Sequence, residues 1–116
     1  MYRDIYGAYH SEFTVTGNGF HVNVAVYRGS GFTDSWGLVA TSYYQAPGHG
    51  KEAFDLLGEH LQSLADQNSQ SVVDLFEPTT SRSKILSQTL ADTNVLKRVS
   101  FNDTMFYIRE FQPRNT

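Results

Sequence analysis

The sequence contains no cysteine, only three prolines and no long run of apolar residues. The absence of cysteine excludes a disulfide framework, a thiolate metal site, an iron–sulfur cluster and a cysteine nucleophile. The longest apolar runs have three or four residues, as in 37–40, whereas a helix that spans a bilayer needs about 20. We therefore expect no membrane-spanning helix. Residues 1–5 include an acid and lack an apolar stretch, so we also expect no secretory signal and a cytoplasmic location.

Positive charge is scarce in the first part of the chain. Residues 1–80 hold three Lys or Arg against nine Asp or Glu, whereas residues 81–116 hold six against three, and the net charge is −3. An acidic chain does not favour generic binding to nucleic-acid phosphates. The cations of the second part form either a solvated surface or a seat for an anionic ligand. They are Arg82, Lys84, Lys97, Arg98, Arg109 and Arg114.

Histidines are few, and their spacing is not that of a metal site. None of the four forms an i,i+4 pair, so we expect no metal ligands. The chain is instead rich in aromatic residues, at 14% of 116 residues, which is enough to build a core. This length predicts one domain over residues 1–116, with its core at about 13–111.

The first half of the chain predicts an antiparallel meander of three strands. Glu12 to Thr16 alternates in polarity, and Gly17-Asn18-Gly19 supplies hairpin-turn residues that tolerate positive φ. Phe20 to Tyr27 alternates next, with its valines on one face. Trp36 to Gln45 then gives the third strand.

The second half alternates helices with strands. Apolar residues at helical spacing predict a helix over Lys51–Ala65, which is followed by a strand over Ser71–Glu77. A second helix is predicted over Ser81–Val99, and Thr104–Phe111 closes the chain as a strand. The inner side of that helix is expected to be Ile85, Leu86, Leu90, Val95, Leu96 and Val99. The order β-β-β-α-β-α-β predicts an α+β domain, a mixed and largely antiparallel sheet with two main helices.

The loop between the third strand and the first helix has the features of an anion site. The first turn of a helix presents free backbone N–H groups, and glycines at 48 and 50 let a bulky anion approach them. A phosphate-binding Walker loop is excluded, because Gln45 and Glu52 stand where it needs Gly and Ser or Thr. Ala53 leaves a weak match to the dinucleotide fingerprint, and a meander is the wrong context for it.

The loop resembles the acyl-CoA motif of the GNAT superfamily of N-acetyltransferases, Gln-x-x-Gly-x-Gly, at Gln45, Gly48 and Gly50. The segment Val95–Phe101 resembles the Val-Leu-Glu-Lys-Leu-Gly-Phe type of segment that ends the second helix in that family. The resemblance covers residues 13–111 and implies the GNAT fold. It also implies direct transfer of an acetyl group from acetyl-CoA, or a related acyl-CoA, to an amine.

The resemblance implies a cofactor site on the loop and a channel beside it. Backbone N–H groups would hold the pyrophosphate, except at Pro47, which has none. The pantetheine would run between the strand that ends at Gln45 and the strand that begins at Ser71, because these two strands splay in the family. The residues so implied are Gln45, Ala46, Pro47, Gly48, His49, Gly50 and Lys51.

The catalytic residues are less evident, because the third strand has no acid where GNAT enzymes often place a Glu. The candidates are Tyr43, Tyr44 and Asp74, each of which has an ordinary role in packing or solvation as the alternative. Glu77, His21 and His49 are further candidates.

The N-terminal residues depart most from the family. Only about a dozen residues precede the meander, too few for the strand and two helices that shape the acceptor site. Residues 1–12 are read as an aromatic arm in which Tyr2, Tyr6 and Tyr9 fall at helical spacing. The arm docks either on its own sheet or on another chain, including a second copy. The alternative function is therefore a non-catalytic GNAT-fold interaction subunit, for instance a bacteriophage virion or host-takeover protein, which would then be virion-associated.

Overall fold

The computed structural model describes residues 6–77 and 81–114, without the side chains of residues 81–84 and 87. One six-stranded sheet, in the order β1-β2-β3-β4-β6-β5, forms the centre of the domain. A short 3-10 helix, Gly31–Trp36, precedes β3. The strands and helices are β1 (Tyr6–Gly17), β2 (Phe20–Gly29), β3 (Leu38–Gln45), α1 (Gly50–Asn68), β4 (Val72–Phe76), α2 (Ser81–Asp92), β5 (Lys97–Phe101) and β6 (Thr104–Phe111).

The first three strands form the antiparallel meander that the sequence predicts. The β1–β2 hairpin closes with Gly17 opposite Phe20, and Gly19 takes the positive φ of 84° that the turn requires. β1 begins earlier than predicted, since Tyr6 and Tyr9 are already in the strand, so the helical reading of this part of the arm is wrong. Their rings lie 5.1 and 6.0 Å from the ring of Tyr27, which explains the longer strand. Tyr2 lies outside the described residues.

The neighbouring strands β3 and β4 run parallel but pair over only three residues. Leu38, Val39 and Ala40 pair with Val72, Val73 and Asp74, and no later pair joins these strands. β3 continues to Gln45, whereas the rest of β4 pairs with β6. The two strands therefore part at their carboxyl ends, next to the loop that leads into α1.

The second helix is shorter than predicted. It ends at Asp92, and Asn94 adopts a positive φ of 65° while the Val95 N–H donates to the Leu90 carbonyl. The prediction of a helix to Val99 is therefore wrong. Lys97–Phe101 instead forms β5, which pairs with β6 across the positive-φ turn Asn102-Asp103. Of the residues expected on the inner side, Leu96 is buried, but Ile85, Leu86 and Val95 are exposed.

The hydrophobic core lies on both faces of the sheet. α1 covers one face, where Leu57 and Leu61 pack against alternate residues of β1 to β4 such as Val22 and Val72. On the other face, Phe32 of the 3-10 helix stacks on Phe101 beside a second cluster. The alternation of the strands thus decides which side chains face α1, and this determines the composition of the site described next.

Candidate functional site

The loop Ala46–His49 leads into α1, and the backbone N–H groups of the first turn of this helix are free. The His49 N–H donates to the Ala46 carbonyl at 2.9 Å, and the Ala53 N–H donates to the His49 carbonyl at 2.9 Å. Helix geometry therefore leaves the N–H groups of Gly50, Lys51 and Glu52 without an intrahelical acceptor. The His49 side chain makes no capping bond to them. These three amides form the positive end of the helix dipole.

The two glycines of the loop border open space. Gly48 has a φ of 77°, which favours glycine, and a Cβ at Gly48 or at Gly50 would meet no atom within 4 Å. Packing within the described residues thus gives no reason for a glycine at position 50. The described residues therefore leave the outer side of the loop open at both glycines.

Charged side chains around the loop are of both signs. Lys51 Nζ lies 2.9 Å from Asp55 Oδ2, and this bond raises the pKa of the largely exposed lysine. His49 Nδ1 lies 3.1 Å from Glu52 Oε1, and its ring stands 5.7 Å from that of Phe20. The attraction for an anion therefore comes mainly from the backbone amides, with Lys51 at the rim.

The cations of the C-terminal part do not converge on this loop. Arg98, Arg109 and Arg114 each bond a carboxylate, and the partners are Asp92, Asp74 and Asp66 in that order. These three arginines therefore do not form the binding site for an anionic ligand that was one of the two predictions from the sequence. Arg82 and Lys84 belong to the side chains outside the description.

The gap between β3 and β4 is lined by polar side chains. Ser42 and Tyr44 follow Ala40 at alternate positions, so they share the α1 face with Asp74, the partner of Ala40. Three oxygens are buried there: Ser42 Oγ, the Tyr44 hydroxyl and Asp74 Oδ1. A side-chain hydrogen bond with Ser42 acts in the lowering direction on the pKa of Tyr44, so Asp74 Oδ1 is the oxygen left without a partner among the described residues. Buried polar atoms are nearly always bonded, so this group indicates a place for water or for a polar part of a ligand.

Backbone groups of β3 also face the gap. The Leu38 N–H donates to the Ser71 carbonyl on the β4 side at 3.0 Å. Because strand backbones alternate, Ser42 and Tyr44 turn their N–H and C=O groups to that same side, beyond the last pair at Ala40. The gap therefore offers an unpaired strand edge as well as side-chain oxygens.

Arg109 fixes the inner end of the gap. Its Nε donates to Asp74 Oδ2 at 2.8 Å, and its Nη2 donates to the Phe54 carbonyl of α1 at 2.9 Å. The guanidinium also lies 3.6 Å from the centroid of the Phe54 ring. A Cβ at Gly58 would stand 3.0 Å from Nη1, so the glycine in mid-helix leaves room for the arginine. Arg109 thus holds one Asp74 oxygen and leaves the other one unbonded.

Burial changes the acidity of both titratable groups in the gap. Removal from water raises the pKa of Asp74 to about 6, although the Arg109 charge and hydrogen bond act in the lowering direction. Burial likewise raises the pKa of Tyr44, and the negative charge of Asp74 raises it further. Asp74 is therefore the group that exchanges a proton near neutral pH, while Tyr44 keeps its proton.

Tyr43 is separated from the other two catalytic candidates. It lies on the opposite face of the sheet and is 63% exposed, because neighbouring strand residues point to opposite sides. There it borders an open depression of about 640 Å³ with Thr41 and Asn23. The structure thus brings Tyr44 and Asp74 together and leaves Tyr43 out. Sequence reasoning did not single out Ser42, whose only signal is its position two residues before Tyr44.

Comparisons of the chain with protein-family models, curated proteins and solved structures find no match. The resemblance to the N-acetyltransferases therefore stays a prediction that rests on the loop and its surroundings. Within residues 6–77 and 81–114, no group of three or more His, Asp or Glu side chains is arranged to hold a metal ion. No helix in this part of the chain has the length and hydropathy to cross a membrane.

Proposed function

We propose that this protein binds an acyl-CoA and transfers the acetyl group to an amine, as its resemblance to the GNAT N-acetyltransferases implies. The observation that supports this most is that the start of α1 and the separation of β3 from β4 lie at the same place. An open helix start with free amides stands at the carboxyl end of β3, where that strand parts from β4. Ligands of sheets with parallel strands bind at such a point, beyond the carboxyl ends of diverging strands.

The phosphates of the proposed substrate fit the open side of the loop. The amides of Gly50, Lys51 and Glu52 have no intrahelical acceptor, and no atom of the described residues lies within 4 Å of where a Cβ of Gly48 or Gly50 would stand. A pyrophosphate there accepts N–H bonds at the positive end of the α1 dipole. Lys51 adds a positive charge at the rim, shared with Asp55.

The pantetheine arm is an extended chain with two amide groups, and it matches the unpaired edge of β3. An extended segment that enters the gap beyond Ala40 forms strand-like hydrogen bonds with the backbones of Ser42 and Tyr44. The thioester end then lies near the buried oxygens of Ser42, Tyr44 and Asp74. This arrangement supports acetyl-CoA as the bound species rather than a nucleotide alone.

Transfer to an amine requires that a proton be removed. A free lysine-type amine is neutral in only about one molecule in 2,500 at pH 7, so a base increases the rate. In the proposed step the amine nitrogen forms a bond to the acetyl carbon, the carbon–sulfur bond breaks and CoA leaves as the thiolate, which then takes up a proton from water. Asp74 Oδ1 takes up the amine proton through water, and it is ionised above a pH of about 6.

We expect Asp74→Asn to lower kcat for acetyl transfer by about 10²–10⁴-fold, since the amide cannot accept the proton. The affinity for acetyl-CoA should stay within about twofold, because Asp74 does not contact the proposed phosphate loop. Release of the CoA thiol, followed with a panel of small amines, polyamines and peptides from pH 5 to 9, measures this. The rise of the wild-type rate near pH 6 should be absent in the variant.

The exposed Asp103→Asn in the β5–β6 turn serves as the control, and its rate should equal that of the wild type. An unchanged kcat for Asp74→Asn would remove Asp74 from the mechanism. Absence of transfer to every amine despite tight acetyl-CoA binding would instead favour the non-catalytic alternative. Among the described residues of the arm, Tyr6 packs on Tyr27 of its own sheet, whereas Tyr9 touches Tyr27 but stays 59% exposed.

A further inference from the structure

The outer edge of β1 is an open strand edge. Over the described residues β1 pairs with β2 alone, and it is 12 residues long. The backbone N–H and C=O groups of Gly17 face Phe20 of β2 in the pair that closes the hairpin. Because these groups alternate in direction along a strand, those of Thr16, Thr14 and Glu12 point away from β2. These backbone groups lie at the edge of the sheet, where they are available to another strand.

The two edges of the sheet differ in how they resist pairing. β5, at the other edge, is only five residues long and begins with Lys97 and Arg98. Short strands and positive side chains are the usual protection of a sheet edge. β1 contains no Lys, Arg or Pro, and Glu12 is its only acidic residue. The register of β1 shifts between Tyr6 and Ser11, and such irregularities also hinder pairing, so the open part of this edge is the regular stretch from Ser11 to Gly17.

We propose that β1 pairs antiparallel with β1 of a second copy of this chain, around a twofold axis at Thr14. In this register Thr14 faces Thr14 of the second copy, and Glu12 faces Thr16, so the acidic side chain does not meet its own copy. On the α1 face Val15 is already buried within its own chain, so the exposed residues of the other face determine the register. The pairing joins the two sheets into one.

This pairing is independent of the proposed acetyl transfer. The loop at Gly48 and the gap between β3 and β4 are bounded by other elements, and β2 lies between them and the edge of β1. The second copy is preferred to a foreign strand because the register pairs polar side chains with polar side chains and keeps Glu12 away from its own copy. Backbone pairing gives affinity, and the alternating side chains give the register.

Sedimentation equilibrium over a wide range of protein concentration tests the pairing. We expect the wild type to have the mass of two chains and Thr14→Lys to have the mass of one, because the variant places two ammonium groups opposite each other at the axis. Ser100→Lys on β5 is the matched control, also exposed and also on an edge strand, and it should remain a dimer. A monomeric wild type, or a dimeric Thr14→Lys, would overturn the proposal.

Hydrogen exchange of the wild type gives a second test that needs no variant. The amides of Glu12, Thr14 and Thr16 should be protected, and their protection should fall when the protein is diluted. The Val15 amide, which faces β2, is the internal control and should stay protected at every concentration. Fast exchange at all three outward amides in concentrated protein would contradict a paired edge.

Discussion

Replacement of Gly50 by tryptophan is expected to raise the Kd for acetyl-CoA at least tenfold, which corresponds to about 1.4 kcal/mol of binding free energy. The fold should be retained. A side chain at position 50 starts in open space, so it disturbs no contact of the chain itself. It does fill the volume in front of the amides of Gly50, Lys51 and Glu52, where the pyrophosphate is proposed to lie. Isothermal calorimetry with acetyl-CoA measures the change, and thermal unfolding checks the fold.

Two variants separate this effect from a general response to a new aromatic residue. Glu59→Trp adds the same side chain at an exposed position farther along α1, and its affinity for acetyl-CoA should be that of the wild type. Gly50→Ala adds only a methyl group and should have an intermediate effect. If Gly50→Trp bound acetyl-CoA as well as Glu59→Trp does, the loop would not be the phosphate site.

Replacement of Arg109 by methionine is expected to lower the free energy of unfolding by about 3–5 kcal/mol at pH 8. Methionine keeps the bulk between α1 and the sheet but leaves the fully buried Asp74 carboxylate without its partner. The bond to the Phe54 carbonyl is lost as well. Urea unfolding, monitored by tryptophan fluorescence of Trp36 and by circular dichroism, measures the loss.

The loss should depend on pH in a defined direction. In the wild type the folded-state pKa of Asp74 is about 6, above its ordinary value of 3.8, so the folded state binds the extra proton between these values. The contribution of this group to stability is therefore full below about pH 4 and is lost as the pH rises through about 6. Without Arg109 the pKa rises further. The destabilisation by Arg109→Met should thus be smaller at pH 5 than at pH 8.

The double variant Asp74→Asn with Arg109→Met tests this cause. With a neutral side chain at position 74, the effect of Arg109→Met should be smaller at pH 8 and nearly independent of pH. Arg109→Met could instead lower the free energy of unfolding equally at pH 5 and pH 8, and by the same amount when Asp74 is already Asn. That result would mean that the arginine stabilises the domain through Phe54 alone.

Local patterns predict most of the fold. The alternation in β2 and the helical stripe from Phe54 to Leu61 are strong because each element has one buried face, and both elements form as expected. β5 escaped prediction because its residues continue the apolar spacing of α2. The turn at Asn102-Asp103 that makes it a hairpin strand is a weak signal when read alone.

The candidate site is less accessible to sequence reasoning. Period two places Ser42 and Tyr44 on one face, yet it does not say that this is the face that α1 covers. The partner of Asp74 stands 35 residues away on β6, and only the strand order makes them neighbours. For the same reason Tyr43 and Tyr44, equivalent in the sequence, have different surroundings.

Amide chemical-shift mapping tests most directly whether an acyl-CoA lies between the start of α1 and the gap beside β3. On titration of ¹⁵N-labelled protein with acetyl-CoA, we expect the largest shifts at Gly48, Gly50 and Lys51, together with shifts at Ser42 and Tyr44. ADP, which has the pyrophosphate but not the arm, and a pantetheine thioester, titrated separately, should assign the loop to the phosphates and the gap to the arm. Absence of shifts at millimolar acetyl-CoA, or shifts confined to the opposite face around Tyr43, would contradict the account.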